Sequence, residues 1–105
     1  MIKAPSEATL QKYGLTEAEW LSILASQGNV CAICKKVPTT GRFVTDHEHV
    51  KGWKKQPPEQ RKLAVRGVLC HFCNHYYLSR GITVAKARNV VLYLEAYAAR
   101  KPSEG

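Results

Sequence analysis

Cys31-Ala-Ile-Cys34 and Cys70-His-Phe-Cys73 are the two stretches that decide the fold of this 105-residue chain. Two residues between cysteines let both thiolates reach one ion from a single tight turn, and two such turns complete a tetrahedron around zinc. The second pair begins a predicted helix, whose N-terminal dipole favours the thiolate form. We therefore predict one structural zinc ion held by all four cysteines. The alternatives are two disulfides, which a reducing cytosol disfavours, or free buried thiols.

The 35 residues between the two pairs (35–69) leave room for a β-hairpin. Residues 42–46 alternate and are rich in strand formers, so they predict a strand that ends near His47. Residues 62–69 predict the returning strand, with Gly67 as a candidate bulge. The zinc ion would then hold this hairpin against the element that carries the second cysteine pair.

A polar stretch, residues 48–60, joins the two predicted strands and is expected to be a loop, because it contains Gly52 and a Pro-Pro pair. After the second strand, a short helix is predicted over 70–80, and Gly81 closes it. His71 on this helix is expected to be a surface group, and His75 a DNA contact.

Two short helices are predicted before the cysteines. Ser6 can cap the first helix, and Gly14 can end it in a left-handed conformation. Thr16 and Glu19 have the spacing of a capping box at the start of the second helix. Trp20 lies on the apolar face of that helix and is expected to anchor the core.

The last predicted element is a helix over 83–100, with Thr83 as its cap and Pro102 as its stop. It carries an apolar stripe at helical spacing, formed by Val84, Ala87, Val91, Leu94 and Ala98. Packing of this stripe against the domain is the default expectation. A homodimer seam is the alternative, because the stripe is long and wide for so small a protein.

The basic residues outnumber the acidic ones by sixteen to eight, which gives a formal net charge of +8. Ten of the basic residues but only three of the acidic ones lie between Val30 and Arg80. Such an excess suits a polyanionic partner, because each phosphate contact releases condensed counterions. The charge therefore favours DNA as the partner.

Membrane and secretory segments are not indicated by the sequence. The longest apolar runs fall far short of the roughly 20 residues needed to span a bilayer. Residues 1–7 lack the apolar core of a secretory signal. We expect no membrane partner and a cytoplasmic location. The hydrophobic fraction of 45% is that of a folded chain, and we expect residues 1–105 to form a single domain.

Asp46-His47-Glu48-His49 is a cluster of polar groups at the end of the first predicted strand, where burial without partners would be costly. The Asp46 carboxylate is a hard oxygen ligand suited to Mg²⁺ or Mn²⁺. His47 points the other way if the strand is still extended, so it is free to take a proton from water. Asn74 directly follows the last cysteine and offers an amide oxygen as a second metal ligand.

With these motifs the chain resembles the recombination endonuclease VII family of phages, within the HNH or ββα-metal nucleases. The resemblance runs from about Tyr13 to Leu94. It is carried by Tyr13-Gly-Leu-Thr16, Gln27-Gly-Asn-Val-Cys-Ala-Ile-Cys34, Asp46-His-Glu-His49 and Val65-Arg-Gly-Val-Leu-Cys-His-Phe-Cys-Asn74.

The resemblance implies an α+β fold: a small zinc-bound ββα-metal (His-Me finger) nuclease domain with flanking helices. The helical lead-in would span 6–28 and the zinc and ββα-metal core 30–80. It also implies a DNA endonuclease in which Asp46 and Asn74 bind one catalytic Mg²⁺ or Mn²⁺. His47 would be the general base and His49 an accessory catalytic or phosphate-contacting residue. The products would carry 5′ phosphate and 3′ hydroxyl ends.

Several features separate this chain from the family pattern. Glu48 stands where Asp is common, and Tyr77 stands where the best-studied member has an acidic residue. The loop over 51–60 is longer than the usual short turn. The chain also ends soon after the domain, without the extension with which the junction-resolving member dimerises. Resolution of four-way junctions is therefore less expected than general nicking.

Two alternatives to a general nicking enzyme stay open: a structure-selective Holliday-junction resolvase, and a zinc-stabilised module that binds DNA without cutting it. A phage packaging protein could direct the cut, and the location would be the host cytoplasm if a phage encodes the chain. The candidates for holding the DNA backbone are the basic residues in and beside the hairpin: Arg42, Lys51, Lys54, Lys55, Lys62 and Arg66.

Overall fold

The chain folds as a two-stranded sheet with helices before, within and after it, in a computed structural model that describes residues 2–78 and 80–101. The elements in order are α1 (Glu7–Tyr13), α2 (Glu17–Ser26), β1 (Val44–His47), a 3₁₀ turn (Trp53–Lys55), α3 (Pro58–Leu63), β2 (Val65–Leu69), α4 (His71–Cys73), a π-helical segment (Asn74–Leu78) and α5 (Val84–Arg100). The predicted α+β class is confirmed. The predicted stop at Pro102 lies outside the described residues.

The caps predicted for the first two helices are confirmed. Ser6 Oγ accepts a hydrogen bond from the N–H of Thr9, and Thr16 and Glu19 form the reciprocal capping box of α2. Gly14 ends α1 in the left-handed region, at φ +72°. These local signals fix where both helices start, because each cap satisfies backbone N–H groups that have no partner within the helix.

β1 and β2 pair antiparallel, with one irregularity beside the polar cluster. Asp46 pairs with Gly67, but His47 pairs with Val65, so Arg66 has no partner on β1. The extra residue of the bulge is therefore Arg66, one position before the predicted Gly67. A bulge re-aims the side chain at its extra residue, and here that side chain turns to Asp46.

Both strands begin later than predicted: β1 by two residues and β2 by three. Residues 58–63 of the predicted loop and strand form α3 instead. Pro58 stands at the first helical position, where its fixed φ suits a helix, and Glu59 lies in the first turn. The strand prediction was wrong for 62–64 because these local helix-start signals outweigh a short apolar pattern.

Two buried clusters make up the core. The larger lies between the lead-in helices and the hairpin and contains Leu10, Tyr13, Leu15, Trp20, Leu24, Trp53 and Val68. The smaller surrounds the cysteines and contains Cys31, Leu69 and Cys73, and Phe43 packs against both clusters. Trp20 is fully buried, as predicted, and its indole N–H donates to Thr45 Oγ1 of β1 at 2.9 Å.

Gln27 joins α2 to the hairpin through its side-chain amide. Its Nε2 donates to the carbonyl of Val68 at 2.8 Å, and its Oε1 accepts from the N–H of Val68 at 2.9 Å. Nε2 also reaches the carbonyl of Val30 at 3.0 Å. The amide thus satisfies the free edge of β2, much as a third strand would.

The helix predicted over 70–80 is confirmed as far as Leu78, but in two parts. Cys70 is the N-cap of α4, and its sulfur accepts from the N–H of Cys73. The chain then widens into π-helical geometry from Asn74. Position 79 lies outside the described residues. Gly81 follows in a left-handed conformation, which agrees with its predicted role as a stop.

α5 begins at the predicted cap, since Thr83 Oγ1 accepts from the N–H of Lys86. The expected packing of its apolar stripe was wrong: no residue of α5 is buried, and Val84 and Leu94 of the stripe are 73% and 57% exposed. The radius of gyration is 16.6 Å, against about 13 Å for a compact chain of this length. Among the described residues, no helix is long and apolar enough to cross a membrane.

Candidate functional site

The four cysteines come together at one point of the fold. Their sulfur atoms all lie within 4.8 Å of one another, and the Sγ atoms of Cys34 and Cys70 are 3.9 Å apart. Tetrahedral zinc with bonds of about 2.3 Å separates its sulfur ligands by about 3.8 Å. The four cysteines therefore fit a structural zinc site.

Backbone N–H groups point at the sulfurs. Sγ of Cys31 accepts from the N–H of Ile33 at 3.4 Å, and Sγ of Cys70 accepts from the N–H of Cys73 at the same distance. Burial raises the pKa of the Cys31 thiol, but backbone N–H groups outweigh burial and lower it to about 6. At Cys31 this polarity favours a thiolate, the form that binds metal, whereas burial raises the pKa of the Cys73 thiol.

The cysteine site lies between the hairpin, which carries Asp46, and the π-helical segment, which carries Asn74. The first cysteine turn is tied to β2 by a hydrogen bond from the N–H of Ala32 to the carbonyl of Val68 at 3.3 Å. The second turn follows β2 directly and starts α4. A metal at the four sulfurs would hold the π-helical segment with Asn74 against the hairpin with Asp46.

Asp46 is nearly buried and pairs with Arg66. The Arg66 Nε lies 2.7 Å from Oδ2 and Nη2 lies 3.0 Å from Oδ1, so both carboxylate oxygens accept from one guanidinium. The Asp46 side chain is 6% exposed and that of Arg66 is 42% exposed. The hydrogen bond to Asp46 raises the pKa of Arg66. The carboxylate is thus already neutralised by a cation from its own hairpin.

His47 faces away from Asp46, toward an open cleft of about 710 Å³. The predicted alternation is therefore borne out in the geometry of the strand. The ring of His47 stacks on Trp53, with centroids 4.1 Å apart, and lies 5.2 Å from the ring of His49. Tyr13 meets it edge-on at 5.5 Å. Three aromatic neighbours fix the orientation of this imidazole.

The pKa of His47 lies below its ordinary value of 6.5, first because burial disfavours the imidazolium and then because the charge of His49 opposes it. The charge of Asp46 acts in the opposite direction and is outweighed. His47 is therefore neutral near pH 7 and able to accept a proton.

Asn74 opens the π-helical segment directly after the last cysteine. Its N–H donates to the carbonyl of Cys70 at 3.1 Å, and the residue is half-buried. Among the described residues, no hydrogen bond joins it to Asp46, whose two oxygens both accept from Arg66. Carboxylate and amide oxygens suit a hard divalent cation, and both oxygens of Asp46 already accept from Arg66.

The six predicted DNA contacts fall into separate groups. Lys51, Lys54 and Lys55 line the cleft beside His47. Lys62 pairs with Glu19, with Nζ 2.6 Å from Oε2. Arg66 pairs with Asp46, and Arg42 is exposed next to Lys3, away from this cleft. The structure thus brings three of the six together with the histidine.

Two residues that contribute to the cleft were not predicted. Lys12, at the end of α1, adds a fourth lysine to its lining. Arg61 holds the wall in place, because its guanidinium donates to the carbonyls of Gln11, Lys12 and Gln56 at 3.0, 3.0 and 2.6 Å. The sequence offers no signal for this contact between α1 and Arg61, since Lys12 and Arg61 are 49 positions apart.

Trp53 is the third residue that was not singled out. It is 4% exposed, although it lies in a polar stretch, and its indole N–H donates to the carbonyl of Arg61 at 3.1 Å. A lone tryptophan among lysines and glycine was the available signal, because a large aromatic residue in a polar loop usually has a packing partner.

Comparison with known proteins gives two kinds of match. A sequence model of the family described as recombination endonuclease VII matches residues 6–96. The Gene 59 protein of Mycobacterium phage D29 is 36% identical over 70 residues, which are 66% of this chain and 36% of that protein. The Gene 59 protein of Mycobacterium phage L5 matches with the same identity and coverage.

The match to these curated relatives covers only a little over a third of their length. No solved structure matches the chain. The family match, by contrast, extends over nearly all described elements, from the cap of α1 to the last turns of α5. The chain belongs to the recombination endonuclease VII family.

Proposed function

We propose that this chain is a metal-dependent DNA endonuclease that hydrolyses phosphodiester bonds with little regard to sequence. The observation that carries the proposal is the end of β1, where a nearly buried carboxylate and a histidine are consecutive and line different openings. The histidine opens onto a lysine-lined cleft, the kind of surface that receives a phosphate backbone.

His47 is the proposed general base. Its lowered pKa favours the neutral form near pH 7, and its stacking on Trp53 holds the ring at the cleft. From there it would take a proton from the attacking water. His49, whose ring is a neighbour, would contact the phosphate or assist proton transfer.

Asp46 and Asn74 are the residues that would hold the catalytic Mg²⁺ or Mn²⁺, as two hard oxygen donors on the hairpin and the π-helical segment. A divalent ion held there would supply positive charge for the phosphate and for the leaving oxygen. The four cysteines would hold the structural zinc that keeps these two donors on adjacent elements. Such an arrangement would be the ββα-metal fold expected from the resemblance, flanked by α1, α2 and α5.

The cleft lysines are the proposed backbone contacts. Lys12, Lys51, Lys54 and Lys55 lie on two walls of one open surface, so together they can neutralise several successive phosphates. Contacts of this kind position the duplex without sequence information, and they make binding weaken as salt is raised.

The first test uses the zinc-loaded full chain and supercoiled plasmid in buffer freed of other divalent ions. We expect nicked circles to appear on addition of Mg²⁺ or Mn²⁺ and not without them. The competing function is a zinc-stabilised module that binds DNA without cutting it. A chain that binds the plasmid and leaves it intact with both ions is such a module, and the enzyme proposal fails.

A Holliday-junction resolvase is the second candidate, supported by the exposed apolar residues of α5. Resolution requires two cuts placed symmetrically, hence two copies of the chain. The stripe on α5 offers a seam for a second copy. Cleavage of branched against linear duplexes, together with the solution mass, separates the candidates: a monomer indifferent to branching is a general nicking enzyme.

The location of the reaction and its protein partners are proposed from the phage relatives. Two Mycobacterium phages encode Gene 59 proteins similar to this chain. A phage-encoded enzyme would act in the host cytoplasm, and packaging proteins of a phage are candidates for directing the cut. Two measurements test whether such a partner directs the cut. The chain should co-purify with a packaging protein, and the cutting position should change when that protein is added.

A further inference from the structure

The ion pair of Asp46 and Arg66 lies at the loop end of the hairpin and is stronger than an ordinary surface ion pair. Arg66 meets Asp46 in the fork geometry, with two hydrogen bonds of 2.7 and 3.0 Å to the two oxygens. Such bidentate, charge-assisted pairs are the strongest hydrogen bonds that side chains make. Because the Asp46 side chain is only 6% exposed, water replaces little of this interaction.

The backbone is built to make this contact. In a regular antiparallel pair, Arg66 would stand opposite His47 and share its face. The bulge inserts Arg66 as an extra residue between Gly67 and Val65, which turns its side chain toward the face of Asp46. The arginine is therefore directed at the carboxylate by a defined irregularity of β2.

We propose that Arg66 is a built-in competitor of the divalent cation at Asp46. The guanidinium neutralises the buried carboxylate in the free protein, and an ion that takes the same lone pairs of the two oxygens has to displace it. The inference rests on the proposed function, because it takes Asp46 to be a metal ligand. It assigns to Arg66 a control of metal affinity, in addition to any contact with DNA.

The surroundings allow the exchange. Arg66 and Asp46 line a second opening of about 340 Å³ beside the start of α5, and the Arg66 side chain is 42% exposed. The guanidinium can therefore swing into solvent without disturbing the core. The Asp46 carboxylate is nearly buried and keeps its position, so an incoming cation can bind it there. The ion replaces one positive charge with two and restores the neutralisation that Arg66 had supplied.

The test measures Mn²⁺ binding to the zinc-loaded chain without DNA, by calorimetry and by the loss of the free Mn²⁺ resonance signal. The thiolate site prefers zinc, so Mn²⁺ does not displace it. We expect Arg66→Gln to bind Mn²⁺ at least about tenfold more tightly than wild type, the factor that one charge-assisted hydrogen-bonded pair represents. Arg66→Lys, which keeps the charge but loses the fork, is expected to fall between them.

Arg88→Gln is the matched control, because it removes the same charge from an exposed position on α5. We expect it to change Mn²⁺ affinity by less than about twofold, as a distant, screened charge does. Zinc content and circular dichroism establish that each variant is folded. If Arg66→Gln does not fold, the comparison of Arg66→Lys with wild type decides.

The outcomes separate the inference from the function on which it rests. If Asp46→Asn abolishes Mn²⁺ binding and Arg66→Gln leaves the affinity at the wild-type value, the competition is overturned and Asp46 remains a ligand. If Asp46→Asn leaves Mn²⁺ binding unchanged, the ion does not bind at Asp46, and the metal assignment of the proposed function fails as well.

Discussion

His47 illustrates how much of a catalytic residue is made by its neighbours. The Asp-His pair in the sequence indicated a base beside a metal ligand, and strand alternation predicted the opposite directions of the two side chains. The stacked Trp53, the edge of Tyr13 and the proximity of His49 were outside the reach of the sequence. The contact with Tyr13, which is distant in the chain, depends on the tertiary fold, and those with His49 and Trp53 depend on the path of the loop after β1.

The pKa of His47 gives the first prediction. Burial lowers it below 6.5, so between the lowered pKa and 6.5 the unfolded chain holds a proton that the folded chain does not. The free energy of unfolding should therefore decrease as the pH falls below 6.5, and this contribution should be constant above it. Histidine titration by nuclear magnetic resonance measures the pKa directly.

The control for that titration is Trp53→Ala, which exposes the imidazole and should bring the pKa of His47 closer to 6.5. A His47 that titrates above 6.5 in the wild-type chain would contradict the geometry, because it would mean that Asp46 stabilises the imidazolium more than burial opposes it.

The buried bond from Trp20 to Thr45 gives the second prediction. Trp20→Phe removes the indole donor and leaves the 6%-exposed Thr45 without that partner, at a cost of about 1–3 kcal/mol in unfolding free energy. Urea denaturation of the zinc-loaded chain measures it. The double variant with Thr45→Val should cost less than the sum of the two single changes; strict additivity would show that the bond contributes nothing.

At the scale of elements, caps and stops were predictable and packing partners were not. The starts of α1, α2 and α5 follow from Ser6, Thr16 and Thr83, whose side chains accept from nearby backbone N–H groups. α3 was missed, although Pro58 and Glu59 carry a helix-start signal, because the apolar residues after it favoured a strand. Capping side chains determine where a helix begins, whereas a short apolar run is compatible with a strand or with a helix.

Gly14 and Gly28 provide a matched pair that tests the packing of α1 on α3. Both have positive φ, +72° and +79°, so alanine is strained at each by about 1–2 kcal/mol. A Cβ at Gly14 would also lie 2.2 Å from the Pro58 carbonyl oxygen, whereas Gly28 faces open space. Gly14→Ala should therefore destabilise the chain clearly more than Gly28→Ala in thermal unfolding. Equal effects would mean that α3 does not pack as described.

For the whole molecule, the cysteine spacing predicted that the two cysteine pairs meet at one site. The exposure of the apolar stripe on α5 was not predicted. A sequence shows that a helix face is apolar, but it does not show whether that face is covered by its own chain or by another molecule. The lysine cleft was half predictable: three lysines lie in one loop, whereas Lys12 reaches the cleft only because Arg61 ties α1 to that loop.

The zinc site gives the prediction at this scale. Cys70→Ser removes one of four thiolates and should lose both zinc and fold, because a structural site contributes its binding energy to folding. His71→Ala is the control: the histidine is exposed next to Cys70 and should be dispensable. Zinc content and circular dichroism measure both; retention of zinc and fold by Cys70→Ser would contradict a four-cysteine site.

The central claim, that His47 is the general base of a metal-dependent endonuclease, is tested most directly by one rate comparison. Single-turnover cleavage of a labelled DNA by wild type and by His47→Ala is measured at saturating Mg²⁺ or Mn²⁺, with zinc content and circular dichroism shown to be equal. We expect the variant to cleave about 10²–10⁴-fold more slowly, the contribution of a general base. Equal rates for the two folded proteins would contradict the claim.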